Sequence, residues 1–173
     1  MALEIEKLLD ETGWLLLQEL QQNARLSYSE LGQRVGLSSP AVADRMRKME
    51  EAGIITGYRA QINPAKLGLP MLAIVRLGSF AGQSCQRVAT QVCQIPEVLE
   101  CYRVTGGDSV VIKVVATSVE HLEKVVDRLS LHGQPTTSLV FSRAMEPRMI
   151  TQKMLAWAAS QEEMPLQDEA SAG

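Results

Sequence analysis

Apolar positions follow a helical period through the first third of the chain and then alternate between strand-like and helical segments. Leu16 and Leu20 lie four apart, as do Leu31 and Val35, the spacing of a single helix face. Ser27 is placed to cap a helix over Tyr28–Val35, and Glu30 three residues on completes a capping box. Gly36-Leu37 predicts a tight turn. Ser38 then caps a second helix whose first turn holds Pro40, where a missing N–H costs nothing. This helix runs to Ala52 and stops at Gly53, since glycine accepts the left-handed conformation at a helix end. Two short helices joined by a glycine-containing turn form the unit that sets a helix in the DNA major groove.

At about 100° per residue, Val42, Met46 and Met49 fall in a narrow arc of the second helix, with Arg45 on its flank. That arc can pack on Leu16, Leu20, Leu31 and Val35. Pro40, Ala43, Asp44, Arg47 and Lys48 occupy the other side. Small groups near the start of a helix let its backbone approach the groove, and Arg47 can reach guanine edges or phosphates. The expected DNA-contacting set is therefore Ser38, Ser39, Pro40, Ala43, Asp44, Arg45, Arg47 and Lys48. Ile54-Ile55 and Tyr58–Ile62, on either side of Gly57, are expected as two short strands of a wing. An ordinary solvated face would show the same Arg45–Lys48 run. Residues 25–59 hold six Lys/Arg against four Asp/Glu, a modest electrostatic footprint.

Asn63-Pro64 and Gly68-Leu69-Pro70 are turn signals that mark a boundary. Beyond them Met71–Leu77 reads as a strand and Gln83–Gln94 as a helix. Glu97–Val104 and Ser109–Thr117 follow as strands, Val119–Leu131 as a helix and Thr136–Ala144 as a last strand. The order β-α-β-β-α-β is the ferredoxin-like motif. Two helices cover one face of such a sheet, yet Val110–Ala116 is apolar at nearly every position. The bare face is expected to be covered by the same sheet of a second subunit, and a two-fold dimer matches pseudo-palindromic DNA sites. A monomer with its tail helix, Met149–Ala159, folded over the sheet is the alternative.

The fold class is thus α+β, an N-terminal winged helix-turn-helix joined to a C-terminal ferredoxin-like βαββαβ domain. The expected division is 1–62 for the DNA-binding domain, 63–70 for a linker, 71–146 for the second domain, and 147–173 for a helix and acidic tail. The net charge of −3 arises in that tail; residues 1–161 carry +1. The tail after residue 161 has the composition of a disordered segment. The N-terminus is not a signal peptide and no apolar run reaches a membrane span, so a cytoplasmic protein is expected. Three cysteines without a Cys-x-x-Cys pair, and two histidines without ligand spacing, predict neither disulfide framework nor metal site, and no cofactor.

These residues carry a family resemblance along 8–144. Leu9-Asp10, Gln22–Ser27, Glu30-Leu31, Gly36-Leu37-Ser38, Val42 and Arg45 lead into Glu50–Ile55, Gly57-Tyr58, Asn63-Pro64 and Leu67-Gly68, and then Val98–Gly106. The chain resembles leucine-responsive regulatory protein/AsnC-type transcription factors. The resemblance implies a DNA-binding regulator and dimers that associate further, for instance into octamers. It also implies an amino acid or related effector near subunit contacts. It places the effector loop at Gly106-Gly107-Asp108-Ser109, and Thr137 at a position that often faces the ligand. Gly106-Gly107 can present backbone N–H groups to a carboxylate, Asp108 an anion to an ammonium group, and Ser109 a neutral donor and acceptor. The two glycines serve equally to close a hairpin. Three departures stand out: Gly13 replaces an acidic residue, the loop lacks the family's aromatic residue and following Asp, and the segment Leu131-His132-Gly133-Gln134-Pro135 before the last strand is altered.

Other classes fit less well. No convergent acid/base or nucleophile set indicates an enzyme. The central strand Ser109–Thr117 lacks the stacking aromatics of an RNA-binding βαββαβ module. A protein that coats DNA with little sequence preference is the alternative to a site-specific regulator, and salt slope and specificity ratio separate the two.

Overall fold

The computed structural model describes residues 2–78, 80 and 82–162. The chain divides into two compact units. One comprises Met1–Ala60 with the segment from Pro147, and the other Gln61–Glu146.

The first unit holds α1 (Ala2–Leu8), α2 (Glu11–Gln22), α3 (Tyr28–Val35), α4 (Ser39–Glu51) and α7 (Gln152–Glu162). The predicted caps form. Ser27 accepts from the Glu30 amide while the Glu30 carboxylate accepts from the Ser27 amide at 2.8 Å. Gly36 ends α3 in the left-handed conformation, and Ser38 caps α4. The α3–α4 turn is closed by the Leu37 amide on the Gly32 carbonyl at 2.9 Å. A Cβ at Gly32 would lie 2.4 Å from the Leu37 oxygen, so only glycine permits this turn. Leu16, Leu31, Val42 and Met46 form the core, with Leu20, Leu26, Val35, Leu37 and Ile55 packed around it. Met49 is also fully buried.

The wing strands expected on either side of Gly57 do not form; residues 54–63 carry no strand. The amides of Ile54 and Ile55 are used to close α4, both donating to the Met49 carbonyl. A backbone that completes a helix end has no donors left there for a ladder. Tyr58 holds the segment instead, donating its hydroxyl to Glu50 at 2.9 Å. Gly13, the departure noted above, sits beside the Leu8 carbonyl, where a Cβ would lie only 1.9 Å from the oxygen. An acidic side chain has no room there.

The second unit opens with a 3-10 turn (Pro64–Leu67) capped by Asn63 and continues as β1 (Met71–Gly78), α5 (Cys85–Val92), β2 (Val98–Arg103), β3 (Val110–Ala116), α6 (Val119–Ser130) and β4 (Gln134–Leu139). The strands are antiparallel in the order β2-β3-β1-β4, the ferredoxin-like topology. β4 is shorter than the predicted Thr136–Ala144. Its partner β1 begins at Met71, and pairing ends with Ala73 opposite Leu139 and the Val140 amide on the Leu72 carbonyl.

Val110, Ile112, Val114 and Ala116 pack with Val75 and Leu77 beneath α5 and α6, all fully buried. The outer face is less uniformly apolar than the run Val110–Ala116 suggests. Leu72, Ile74 and Val111 are half-buried there, but Lys113 interrupts them and pairs with Glu100 at 2.8 Å. α7 groups with the first unit, and Gln21 of α2 latches the chain ahead of it, its side chain bonding both the amide and carbonyl of Ile150. The expected tail disorder falls, beyond Glu162, outside the described residues.

Glu97, just ahead of β2, accepts from His121 at 2.9 Å and pairs with Arg128 at 2.7 Å across to α6. Burial pushes its carboxyl up, but those hydrogen bonds outweigh this and hold it down to about 2. A carboxyl depressed in the folded state stabilises the fold above its unfolded value near 4.5 and loses that contribution as pH falls toward 2. We therefore expect acid titration followed by circular dichroism to show a loss of about 3 kcal/mol across this window. Glu97→Gln should flatten that slope; an unchanged slope would show that Glu97 does not control it.

Candidate DNA interface and effector site

The orientation of α4 rests on a bidentate ion pair. Asp10 caps α2, accepting from the Gly13 amide at 2.7 Å. Its two carboxylate oxygens also accept from Nη1 and Nη2 of Arg45, both at 2.7 Å. The fork geometry fixes direction as well as distance. The hydrogen bond from Arg45 is the main cause that holds the Asp10 carboxyl below its ordinary value. Arg45, expected among the DNA-contacting residues, thus has its donors turned toward α2.

The other face of α4 is free of the core. Ser38, Ser39, Pro40, Asp44, Arg47 and Lys48 are exposed, and Ala43 is half-buried. The structure brings seven of the eight expected residues onto one surface and sets Arg45 apart. Its charges are internally paired. Asp44 bridges Arg47 at 2.9 Å and Lys48 at 2.6 Å, and Glu51 takes the other guanidinium nitrogen of Arg47 at 2.7 Å. Exposed pairs of this kind contribute little to stability and exchange readily for another partner. A phosphate or a base edge is such a partner.

The loop between β2 and β3 lies at one end of the sheet. The Val104 amide donates to the Ser109 carbonyl at 3.3 Å, closing a hairpin, and the Ser109 amide donates to the Leu77 carbonyl at 2.8 Å. A Cβ built on Gly78 would lie 3.8 Å from the Gln134 oxygen and 3.9 Å from that of Gly107. The loop, the end of β1 and the start of β4 therefore converge. Gly106, in a left-handed conformation, and Gly107 are exposed, while Asp108 is half-buried. Ser109 is 3% exposed, and its backbone amide and carbonyl tie the loop to β1 and to Val104. Thr137 sits further along, opposite Val75, three registers in from the Gly78–Gln134 pair and so about 10 Å from it. It is exposed but not part of the cluster at the sheet end.

Two features carried no usable sequence signal. Asp10 enters the sequence reading only through the family resemblance, and the fold shows it to be both the cap of α2 and the partner of Arg45, 35 positions away. A groove of about 420 Å³ in the first unit, walled by Leu9, Trp14 and Leu17 of the α2 region and by Ile54, Tyr58 and Ile150, draws on three separate stretches of chain. No helix among the described residues is long and apolar enough to cross a membrane.

Comparison with known proteins decides the family. Residues 9–56 match the model of a winged helix-turn-helix DNA-binding domain, and residues 72–150 that of the Lrp/AsnC ligand-binding domain. The HTH-type transcriptional regulator YezC of Bacillus subtilis is 43% identical over 134 residues, covering 78% of this chain and 94% of that protein. The chain belongs to the Lrp/AsnC family of transcriptional regulators. The proline dehydrogenase transcriptional activator of Rhodobacter capsulatus is 39% identical over 143 residues, 80% of this chain and 93% of its own. Among solved structures, a transcriptional regulator of Neisseria meningitidis in complex with L-methionine superposes with a TM-score of 0.77 at 29% identity, covering 85% of this chain and 99% of that one. This Lrp/AsnC protein is a DNA-binding transcriptional regulator with a winged helix-turn-helix and a ligand-binding domain.

Proposed function

We propose that this Lrp/AsnC regulator reads duplex DNA with the exposed face of α4 and is modulated by a small amino-containing acid bound at the sheet end. It acts without catalysis, in the cytoplasm. The observation that carries the reading is the division of α4 into two faces. Val42, Met46, Met49 and the Asp10-bound Arg45 hold the helix, while Ser38, Ser39, Pro40, Ala43, Asp44, Arg47 and Lys48 face outward. In this reading Arg47 meets a base edge, Lys48 a phosphate, and Arg45 positions the helix. Residues 1–62 are the DNA-binding domain, 63–70 the linker, 71–146 the effector and assembly domain, and 147–173 a C-terminal extension.

A second copy covers the outer face of the sheet, where Leu72, Ile74 and Val111 remain half-buried in one chain. Such pairing gives the two-fold symmetry that helix-turn-helix proteins use on pseudo-palindromic sites, and it permits higher oligomers. The methionine complex of the Neisseria regulator supports an amino-acid effector. Gly106 and Gly107 supply amides for the carboxylate and Asp108 a counter-charge for the ammonium group. Ser109 orders the loop, and Thr137 lies at the margin.

Arg47→Ala should weaken binding to a selected duplex by about 1–3 kcal/mol more than binding to random DNA. Fluorescence anisotropy on both duplexes checks this, and an equal loss on the two makes Arg47 a phosphate contact. Ile74→Arg places a second cation opposite Lys113 in the register. An unpaired charge in a buried seam is costly, so sedimentation velocity should show monomers; a folded dimer excludes pairing through this face. Calorimetry across the common amino acids should give heat with at least one, reduced by Asp108→Ala without change in effector-free DNA binding. No heat from any of them would leave the domain as an assembly module.

A further inference from the structure

The outward face of α4 is close to electroneutral because its cations are held by its own carboxylates. Asp44 lies one turn before both Arg47 and Lys48 and engages each with a separate oxygen, at 2.9 and 2.6 Å. Glu51, one turn after Arg47, takes the remaining guanidinium nitrogen at 2.7 Å. All four side chains are about half exposed or more, so the pairs open without desolvation cost. The hydrogen bonds from Lys48 first and Arg47 next hold the Asp44 carboxyl below its ordinary value. The carboxylate is therefore charged wherever DNA is bound near neutral pH.

This arrangement has a direct consequence for binding to arbitrary sequence. Non-specific affinity comes from cations that replace the counterions condensed on phosphates. A cation already paired with a carboxylate must first leave it, and the carboxylate then remains beside the phosphates as a repelling charge. The cost falls away only where the carboxylate finds a donor of its own. In the major groove that donor is the N4 amino group of cytosine, while the freed Arg47 can take the O6 and N7 acceptors of guanine.

We propose that Asp44 is a specificity-determining residue of this regulator. It withholds Arg47 and Lys48 from the phosphates of arbitrary duplex and releases them where its carboxylate meets a cytosine amino group. The inference rests on the reading of α4 as the recognition helix. Asp44 thus raises the ratio of specific to non-specific binding while lowering the non-specific affinity itself.

The test uses the full chain and two probes, a fully randomised duplex pool and a duplex selected from that pool by the unaltered protein. Asp44→Asn keeps the size of the side chain and removes its charge. Its affinity for the randomised duplex should rise about tenfold, with a salt slope steeper by about 1 as Lys48 becomes free for phosphates while Glu51 still holds Arg47. The ratio of affinities for the two probes should fall at least about tenfold, and selection repeated with the variant should lose a cytosine preference at one position. Glu51→Gln, which frees one contact of Arg47 only, should raise non-specific affinity less and leave base preference unchanged. An equal rise on both probes, or unchanged non-specific affinity and slope, overturns the inference. If Arg47→Ala weakens selected binding while Asp44→Asn changes nothing, this inference falls alone. If neither substitution alters DNA binding, the recognition-helix reading falls with it.

Discussion

The clasp between Asp10 and Arg45 is the contact on which the DNA-binding half is organised. One carboxylate ends the backbone of α2 and grips α4 by both guanidinium nitrogens. An apolar seam alone leaves a helix some freedom to rotate, because methionine side chains such as Met46 and Met49 adapt to many packings. A bidentate, planar pair removes that freedom. With α4 fixed in rotation, the residues on the side opposite the core become a defined outward surface. Gly13 belongs to the same junction, since the N-terminus of α2 comes so close to Leu8 that no side chain fits.

The second half follows a different logic. Its main core lies between the helices and one sheet face, where β1 and β3 contribute alternate residues that are fully buried, while Val115 is buried on the opposite face. The other face mixes half-buried aliphatic residues with the Lys113–Glu100 pair. Such a mixture suits an interface that must be specific in register as well as adhesive, because a charge pair within an apolar patch penalises misaligned docking. The β2–β3 loop is placed by the antiparallel order itself. The β2–β3 turn, the end of β1 and the start of β4 must meet at one sheet edge once the strands adopt the order β2-β3-β1-β4.

Charge on the outward face of α4 is governed locally rather than by the whole chain. The acidic net charge says little about this face, where Asp44 and Glu51 neutralise Arg47 and Lys48 within one turn. The helix geometry that brings residues three and four apart into contact makes this arrangement self-contained. It needs no support from the rest of the fold, and it changes as soon as a stronger partner appears.

What the sequence by itself determined is local in origin. The Ser27–Glu30 capping box, the Gly36 turn, the Ser38 cap, the face formed by Val42, Met46 and Met49, and the six elements of the second half all follow from contacts within a few residues. Caps and apolar periodicity are written at that range. The wing strands failed for a reason that is also local but was not visible in composition: the Ile54 and Ile55 amides complete α4 instead of joining a ladder. The true end of β4 depended on where its partner β1 begins. Only the tertiary structure decided that Arg45 turns to Asp10, that Ser109 is buried under the loop it shapes, and that α7 joins the first unit through Gln21 and Ile150. Each of these depends on which distant residue arrives beside a side chain, and that information is not carried by spacing along the chain.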